Sequence, residues 1–130
     1  MLFNKDWEKP KINPVADVLL MGADLMEKYG HVRDVRKDGN GSMCFLGALQ
    51  EAQGIIDDYS YSRDTALTHR AAKVFAEMLN LPLIYGHEDD RRGDAATWNN
   101  RPDVTGKDVI AAMRKAAKVA AKLKEEEYAV

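Results

Sequence analysis

Cys44 is the only cysteine of the chain, and its three histidines, His31, His69 and His87, are the bases that could activate it. A thiol in the first turn of a helix lies at the positive end of the helix dipole, which can lower its pKa and make it a nucleophile. A cysteine-dependent hydrolase or transferase would combine Cys44 with His87 or His69 as the base. Methionine, phenylalanine and leucine flank the cysteine, however, and free cysteine in such surroundings is usually buried and unreactive. The sequence therefore favours a structural Cys44 without catalysis, and the cysteine enzyme is the alternative.

A second concentration of reactive side chains is the segment "HEDDRRGD" at residues 87–94. The imidazole and carboxylates of His87, Glu88, Asp89 and Asp90 are of the types that bind Mg²⁺ or Mn²⁺. The two arginines that follow compete for these carboxylates, and the spacing is not that of an EF-hand. We therefore expect a solvated loop with no bound metal and no cofactor, and keep these four residues as the alternative metal site.

The segment "TWNNRPD" places a large aromatic side chain among polar residues. Trp98 either fills a gap in the core and pins this segment, which is the favoured interpretation, or projects as an anchor for a binding partner. Asn99 and Asn100 are residues that hydrogen-bond the backbone around turns. Trp98, Asn99, Asn100 and Arg101 are therefore candidate interaction residues.

Positive side chains recur on the outer side of the last predicted helix, and Arg114 and Lys118 are two of them. Acidic residues nearby leave this region only a small positive excess, and the whole chain has a net charge of −2 and a pI of about 5.9. Since nucleic-acid binding needs a marked basic excess, weak nucleic-acid binding through this helix is only a second alternative. Mixed charge usually marks a solvated helix face, and we retain Arg114 and Lys118 as interaction candidates.

Length and composition are typical of one globular domain, with 130 residues, 45% hydrophobic and 31% charged. One cysteine excludes an internal disulfide and is typical of a reducing compartment. No apolar run approaches the roughly 20 residues that span a bilayer, and the first residues do not resemble a secretory signal. We expect a cytoplasmic protein with no membrane contact, an irregular arm over 1–12 and a single helical domain over 13–127.

Periodic apolar residues predict four helices, at about 14–29, 43–53, 64–80 and 105–126. Each follows residues that can cap it, namely Asn13, Ser42, Ser62 or Asp64, and Thr105. The second helix is apolar around most of its circumference, so we expect it at the centre of the core. On this view, replacing its cysteine by serine costs on the order of 1 kcal/mol or more if the hydroxyl is left unpaired.

The stretches between these helices carry weaker signals. Residues 31–36 are compatible with a short extended segment before the turn signal "DGNG", and 86–104 reads as a long loop. The predicted fold class is mostly α: a compact single-domain bundle of about four helices with at most a minor short β-hairpin.

Three segments together carry a family resemblance: "LMEKYGHVRD", "CFLGALQEA" and "WNNRPDVTGKDVIAAMRKAA". With their C-x-L/F-G-A-L helix and W-N-x-x-P loop they resemble an uncharacterised family of small proteins from actinobacteria and their phages, including mycobacteriophages, over about 15–123. The resemblance implies a bacterial cytoplasmic setting and no assigned activity. It also implies that His31 is a poor general base, because the family tends to have an aromatic residue there.

The leading functional prediction is a small soluble cytoplasmic binding or regulatory protein without catalysis. Its specific form is a phage-encoded factor that acts on a host protein, an inference from context alone. The predicted partner is a host protein or a second copy of the chain, and neither nucleic acid nor a membrane is expected.

Overall fold

A computed structural model of the protein describes residues 11–55, 63–85 and 87–129. The helices in these ranges are α1 (Pro14–Tyr29), α2 (Phe45–Ala52), α3 (Ala66–Met78), α4 (Arg92–Asn99), α5 (Gly106–Ala120) and α6 (Glu125–Tyr128). The β contacts within the described ranges are isolated bridges, which join His31 and Lys37 to Met43, and His87 to Asp90. The prediction of a mostly α, compact single domain is confirmed.

Helices α1 and α5 pack side by side as the most extensive pair of the fold. The buried face of α5 is rich in alanine, which lets the two helices approach closely. On the α1 side, a Cβ at Gly22 would lie only 2.8 Å from Met113 Cε. Asn13 joins the two helix ends: its Oδ1 accepts from Ala16 N (2.9 Å), and its Nδ2 donates to Ala120 O (2.9 Å). The predicted α1 boundaries and its Asn13–Pro14 start are confirmed.

Every residue of α2 is buried, so the prediction of a central packing helix is confirmed. Phe45 stacks on Phe75 of α3 with ring centroids 4.0 Å apart, and Trp98 of α4 meets Phe75 edge-on at 5.6 Å. A Cβ at Gly47 would lie 1.9 Å from the Arg36 carbonyl oxygen, so this glycine allows the preceding segment to lie directly on the helix.

Two predicted caps and one predicted loop are wrong. Cys44, not Ser42, is the N-cap of α2, and Ser42 Oγ instead donates to the Tyr29 carbonyl. Thr65 caps α3, because the Asp64 side chain is used in ion pairs; Ser62, the other predicted cap, and residues 1–10 of the predicted arm lie outside the described residues.

Helix α4 occupies residues 92–99, in the middle of the predicted loop at 86–104. Its sequence, "RGDAATWN", has too few periodic apolar residues to predict a helix, and its stability depends on buried polar contacts made by Asp94 and Asn99. The last long helix also ends earlier than predicted, at Ala120, where a turn leads into the short α6.

Candidate functional site

Cys44 lies at the start of α2, but buried and engaged as a cap. Its Sγ accepts a hydrogen bond from Gly47 N at 3.4 Å. Burial raises the pKa of the thiol above its ordinary value, although the Gly47 and Leu46 amides and Arg36 act in the opposite direction. A buried thiol with a raised pKa is a poor nucleophile at neutral pH.

The histidines contact other side chains, and no hydrogen bond within the described ranges joins any of them to the Cys44 sulfur. His31 Nε2 lies 3.0 Å from Asn99 Oδ1. His69 Nδ1 lies 3.7 Å from an Asp90 carboxylate oxygen, and exposed His87 accepts from the nearby Asp89 amide. In the described ranges, therefore, no histidine is hydrogen-bonded to the thiol as a base would be.

We expect Cys44→Ser to change the free energy of unfolding by less than about 1 kcal/mol, because serine is a preferred N-cap and can accept from Gly47 N. Cys44→Ala should cost about 1–2 kcal/mol, because it removes the cap and leaves a small void. Urea unfolding compares the two variants. Iodoacetamide should label the wild-type thiol only after the protein is unfolded. Labelling of Cys44 in the native protein below neutral pH would contradict its burial.

The carboxylates of segment 87–94 pair with basic side chains. Asp90 binds the Arg92 guanidinium at 2.8 and 2.9 Å, and Asp89 lies 3.6 Å from Lys73 Nζ. In the part of the chain that the structure describes, no group of three or more histidine, cysteine, aspartate or glutamate side chains is placed to hold a metal ion. The alternative metal site with His87 as ligand is therefore not formed by these residues.

Arg92 belongs to a partly buried cluster centred on Asp64, which we call the Asp64 cluster: Arg36, Gln50, Asp64, Asp90 and Arg92. The Asp64 carboxylate accepts from Arg36 Nη1 and Nη2 at 2.6 and 2.8 Å and from Arg92 Nη1 at 2.8 Å. Burial alone would raise the pKa of Asp64, but the two guanidiniums hold it below its usual value. The hydrogen bond from Arg92 likewise lowers the pKa of Asp90. Carboxylates held ionised in this way are weak bases, which does not favour a catalytic role. The cluster instead links three segments of the chain: the one before α2, the one before α3 and the one before α4.

The "WNN" motif connects three separate parts of the chain. Asn99 Oδ1 accepts from Phe45 N (3.1 Å) and pairs with His31 Nε2, while its Nδ2 donates to the Val32 carbonyl (3.2 Å). Asn100 Oδ1 accepts from Asp34 N at 2.9 Å. The three segments that carry the family resemblance therefore meet at Asn99.

The four predicted interaction residues of this motif differ in how far they are buried. Asn99 is fully buried, so the expectation that it contributes to an exposed surface does not fit the structure; its amide is used inside the fold. Trp98 is half-buried and packs on the core, and Arg101 is exposed and pairs with Asp103 at 2.7 Å. Asn100, the C-cap of α4, is half-buried.

The outer face of α5 is not a continuous positive surface. Arg114 pairs with Asp24 at 3.0 Å and with Glu27 at 3.1 Å across the α1–α5 contact, which neutralises its charge. Lys118 is exposed and has no hydrogen bond or ion pair in the described residues. The basic face is thus reduced to isolated lysines.

The feature that sequence reasoning missed is an exposed apolar segment between α3 and α4, which we call the apolar ridge (residues 81–85). Leu83, Ile84 and Tyr85 are 51%, 61% and 67% exposed. In the described residues the other large exposed apolar side chains occur singly, and only here do three follow one another. No sequence signal distinguishes an exposed apolar run from a buried one.

A buried ion pair holds the apolar ridge in place. Asp94 Oδ1 accepts from Ile84 N (3.0 Å) and Tyr85 N (2.9 Å), and its Oδ2 accepts from Arg91 Nε (2.9 Å). Arg91 also donates to the Leu81 carbonyl at 2.9 Å. Both charged side chains are more than nine-tenths buried. Burial of charge is costly unless every group is paired, and here the pairs are directed at the ridge backbone.

The family "Family of unknown function (DUF6197)" matches residues 10–119, most of the chain. This chain belongs to the DUF6197 family. No curated protein and no solved structure matches it.

Membership of the DUF6197 family agrees with the prediction of an uncharacterised family but adds no activity. The matched range contains the Asp64 cluster, Asn99 and the apolar ridge. No helix in the described parts of the chain is both long and apolar enough to cross a membrane.

Proposed function

We propose that this DUF6197 protein is a binding module without catalysis, and that it contacts a partner protein through the apolar ridge and the neighbouring Trp98. The observation that carries the proposal is the exposure of three consecutive large apolar side chains at Leu83, Ile84 and Tyr85. Contiguous exposed apolar surface on a small domain usually marks an interaction site, because it is otherwise a liability for solubility.

The way the ridge is held supports the proposal. Its backbone is fixed by Asp94 and Arg91 at Leu81, Ile84 and Tyr85. A surface already held in one conformation loses little conformational entropy when it binds, which raises affinity. Placing a buried ion pair beneath an exposed apolar segment has an evident use if that segment must keep its shape for recognition.

The residue types of this surface are those that dominate binding energy in protein interfaces. Trp98, Tyr85 and Arg101 belong to the three classes most often found at interface hot spots. The resemblance to actinobacterial and phage proteins adds a context: we propose a host bacterial protein, met in the cytoplasm, as the partner.

The test compares Leu83→Asp with Val119→Asp, a matched substitution at an isolated exposed apolar residue of α5. Tagged wild-type and variant proteins capture partners from the source cells, and the retained protein is then purified and titrated by calorimetry. We expect wild type and Val119→Asp to retain the same protein, and Leu83→Asp to weaken its binding at least tenfold, about 1.4 kcal/mol.

Equal binding of that partner by Leu83→Asp and wild type would contradict the proposal, as would the absence of any partner specific to the wild-type surface. Light scattering, which measures the oligomeric state, is a second test. A concentration-dependent dimer that Leu83→Asp abolishes and Val119→Asp retains would support the same surface, with a second copy of the chain as its partner.

A further inference from the structure

A small cleft lies beside the apolar ridge, between the ridge and α4. Its walls are Leu81, Pro82, Ile84 and Trp98, and its volume is about 130 Å³. An apolar cavity of about 150 Å³ is large enough for a benzene molecule. The cleft is slightly smaller than that and has room for one branched aliphatic side chain.

The polar groups at the edge of the cleft are already used within the fold. Asp94 binds two backbone amides and Arg91, and Thr97 Oγ1 donates to the Gly93 carbonyl at 2.8 Å. The Arg101 guanidinium pairs with Asp103. A ligand in the cleft would thus meet neutralised charges and satisfied groups, which is the electrostatic complement of an uncharged, apolar side chain.

Trp98 contributes one available donor. Within the described residues the indole Nε1–H of Trp98 makes no hydrogen bond. This nitrogen is also not fully buried, so it is accessible to solvent. Tryptophan whose ring is packed while its N–H stays accessible is suited to an interface with a peptide, where a backbone carbonyl can accept from it.

From these observations we propose that the cleft binds a single leucine-sized side chain, presented by a segment of the partner protein. This inference rests on the proposed function and names what the partner must carry there: an uncharged, apolar side chain with a backbone carbonyl within reach of Trp98. Recognition of this kind involves no net charge, so it should be insensitive to salt.

The probe is N-acetyl-leucine methylamide, titrated into the ¹⁵N-labelled full chain while the Trp98 Nε1–H and the Ile84 and Thr97 amides are followed by NMR. We expect saturating shifts of these signals with a dissociation constant on the order of millimolar, the range expected for so small a ligand. N-acetyl-aspartate methylamide, which has the same backbone and a charged side chain, should give no shifts there.

Thr97→Phe places a ring in the cleft and should weaken binding of the leucine probe at least tenfold, while Val119→Phe, an equally bulky change on α5, should leave it unchanged. Absence of shifts with the leucine probe, equal binding of the aspartate probe, or unchanged binding by Thr97→Phe would each overturn the inference.

The outcome of this experiment can be distinguished from the outcome of the test of the proposed function. Leu83 is not a wall of the cleft, so Leu83→Asp should retain probe binding even as it loses the partner. Partner binding without probe binding would leave the ridge as an interface and remove the cleft as its pocket. Probe binding without a partner would remove the proposed function and leave the cleft as a pocket for apolar groups.

Discussion

Asp64→Asn should destabilise the protein by about 3–5 kcal/mol, the cost expected when one partner of a buried ion pair is removed. The Asp64 side chain has no solvent exposure, and Arg36 is 8% exposed. Neutral asparagine cannot balance the guanidiniums of Arg36 and Arg92, which stay buried in the same place. The free energy of unfolding from urea titration measures the loss.

Asp103→Asn is the matched control, since Asp103 also pairs with an arginine but on the surface, where both side chains are more than half exposed. Exposed pairs contribute about 0–1 kcal/mol, so this variant should remain close to wild type. Similar stabilities of the two variants would show that the Asp64 cluster does not hold the fold together.

The same cluster predicts how stability responds to acid. The pKa values of Asp64 and Asp90 are lowered in the folded state, so their contribution is fully present above about pH 4, the unfolded value of aspartate. It is lost as the pH falls through the lower folded values. Wild type should therefore lose stability below about pH 4, and Asp64→Asn should lose less of it over that range.

Asn99→Ala is expected to cost about 3 kcal/mol, because one buried and two partly buried groups lose their partners at once and each unpaired group costs roughly 1–3 kcal/mol. Phe45 N and His31 Nε2 lose their acceptor, and the Val32 carbonyl loses its donor. Since Asn99 Oδ1 accepts both contacts, His31 carries its proton on Nε2 in the wild type. Burial, the largest cause, lowers the pKa of His31, which agrees with a neutral ring.

Urea unfolding and amide hydrogen exchange at Phe45 measure this effect together, and Asn100→Ala is the control. Asn100 is only half-buried and accepts from Asp34 N and from its neighbour, so about 1 kcal/mol is expected there. Faster exchange of the Phe45 amide should appear in Asn99→Ala alone. Equal stabilities of the two variants would mean that Asn99 does not join the three segments.

Several elements of this fold follow from local sequence. Asn13 followed by Pro14 starts α1, and the predicted cap Thr105 forms a capping box with Asp108 at the start of α5. These signals act between residues three or four apart, where the geometry is the same in almost every protein. The buried character of α2 also follows directly from its nearly continuous apolar surface.

Long-range contacts decided the rest. Helix α4 is held by Asn99 and Asp94, whose partners lie 54 residues away at Phe45 and about ten away in the apolar ridge. Asp64 was predicted as a possible helix cap but lies at the centre of an ion-pair cluster, because the fold brings Arg36 and Arg92 to it.

Local periodicity and composition are enough to predict the mostly α class and the positions of the longer helices, and they favour a structural Cys44 over a catalytic one. Which apolar residues remain outside the core depends instead on tertiary packing. Leu83, Ile84 and Tyr85 have the same composition as a buried segment, and their exposure arises because Asp94 and Arg91 fix their backbone on the outside of α4. A side chain's type states its preference for burial, and the place that remains for it depends on how the whole chain packs.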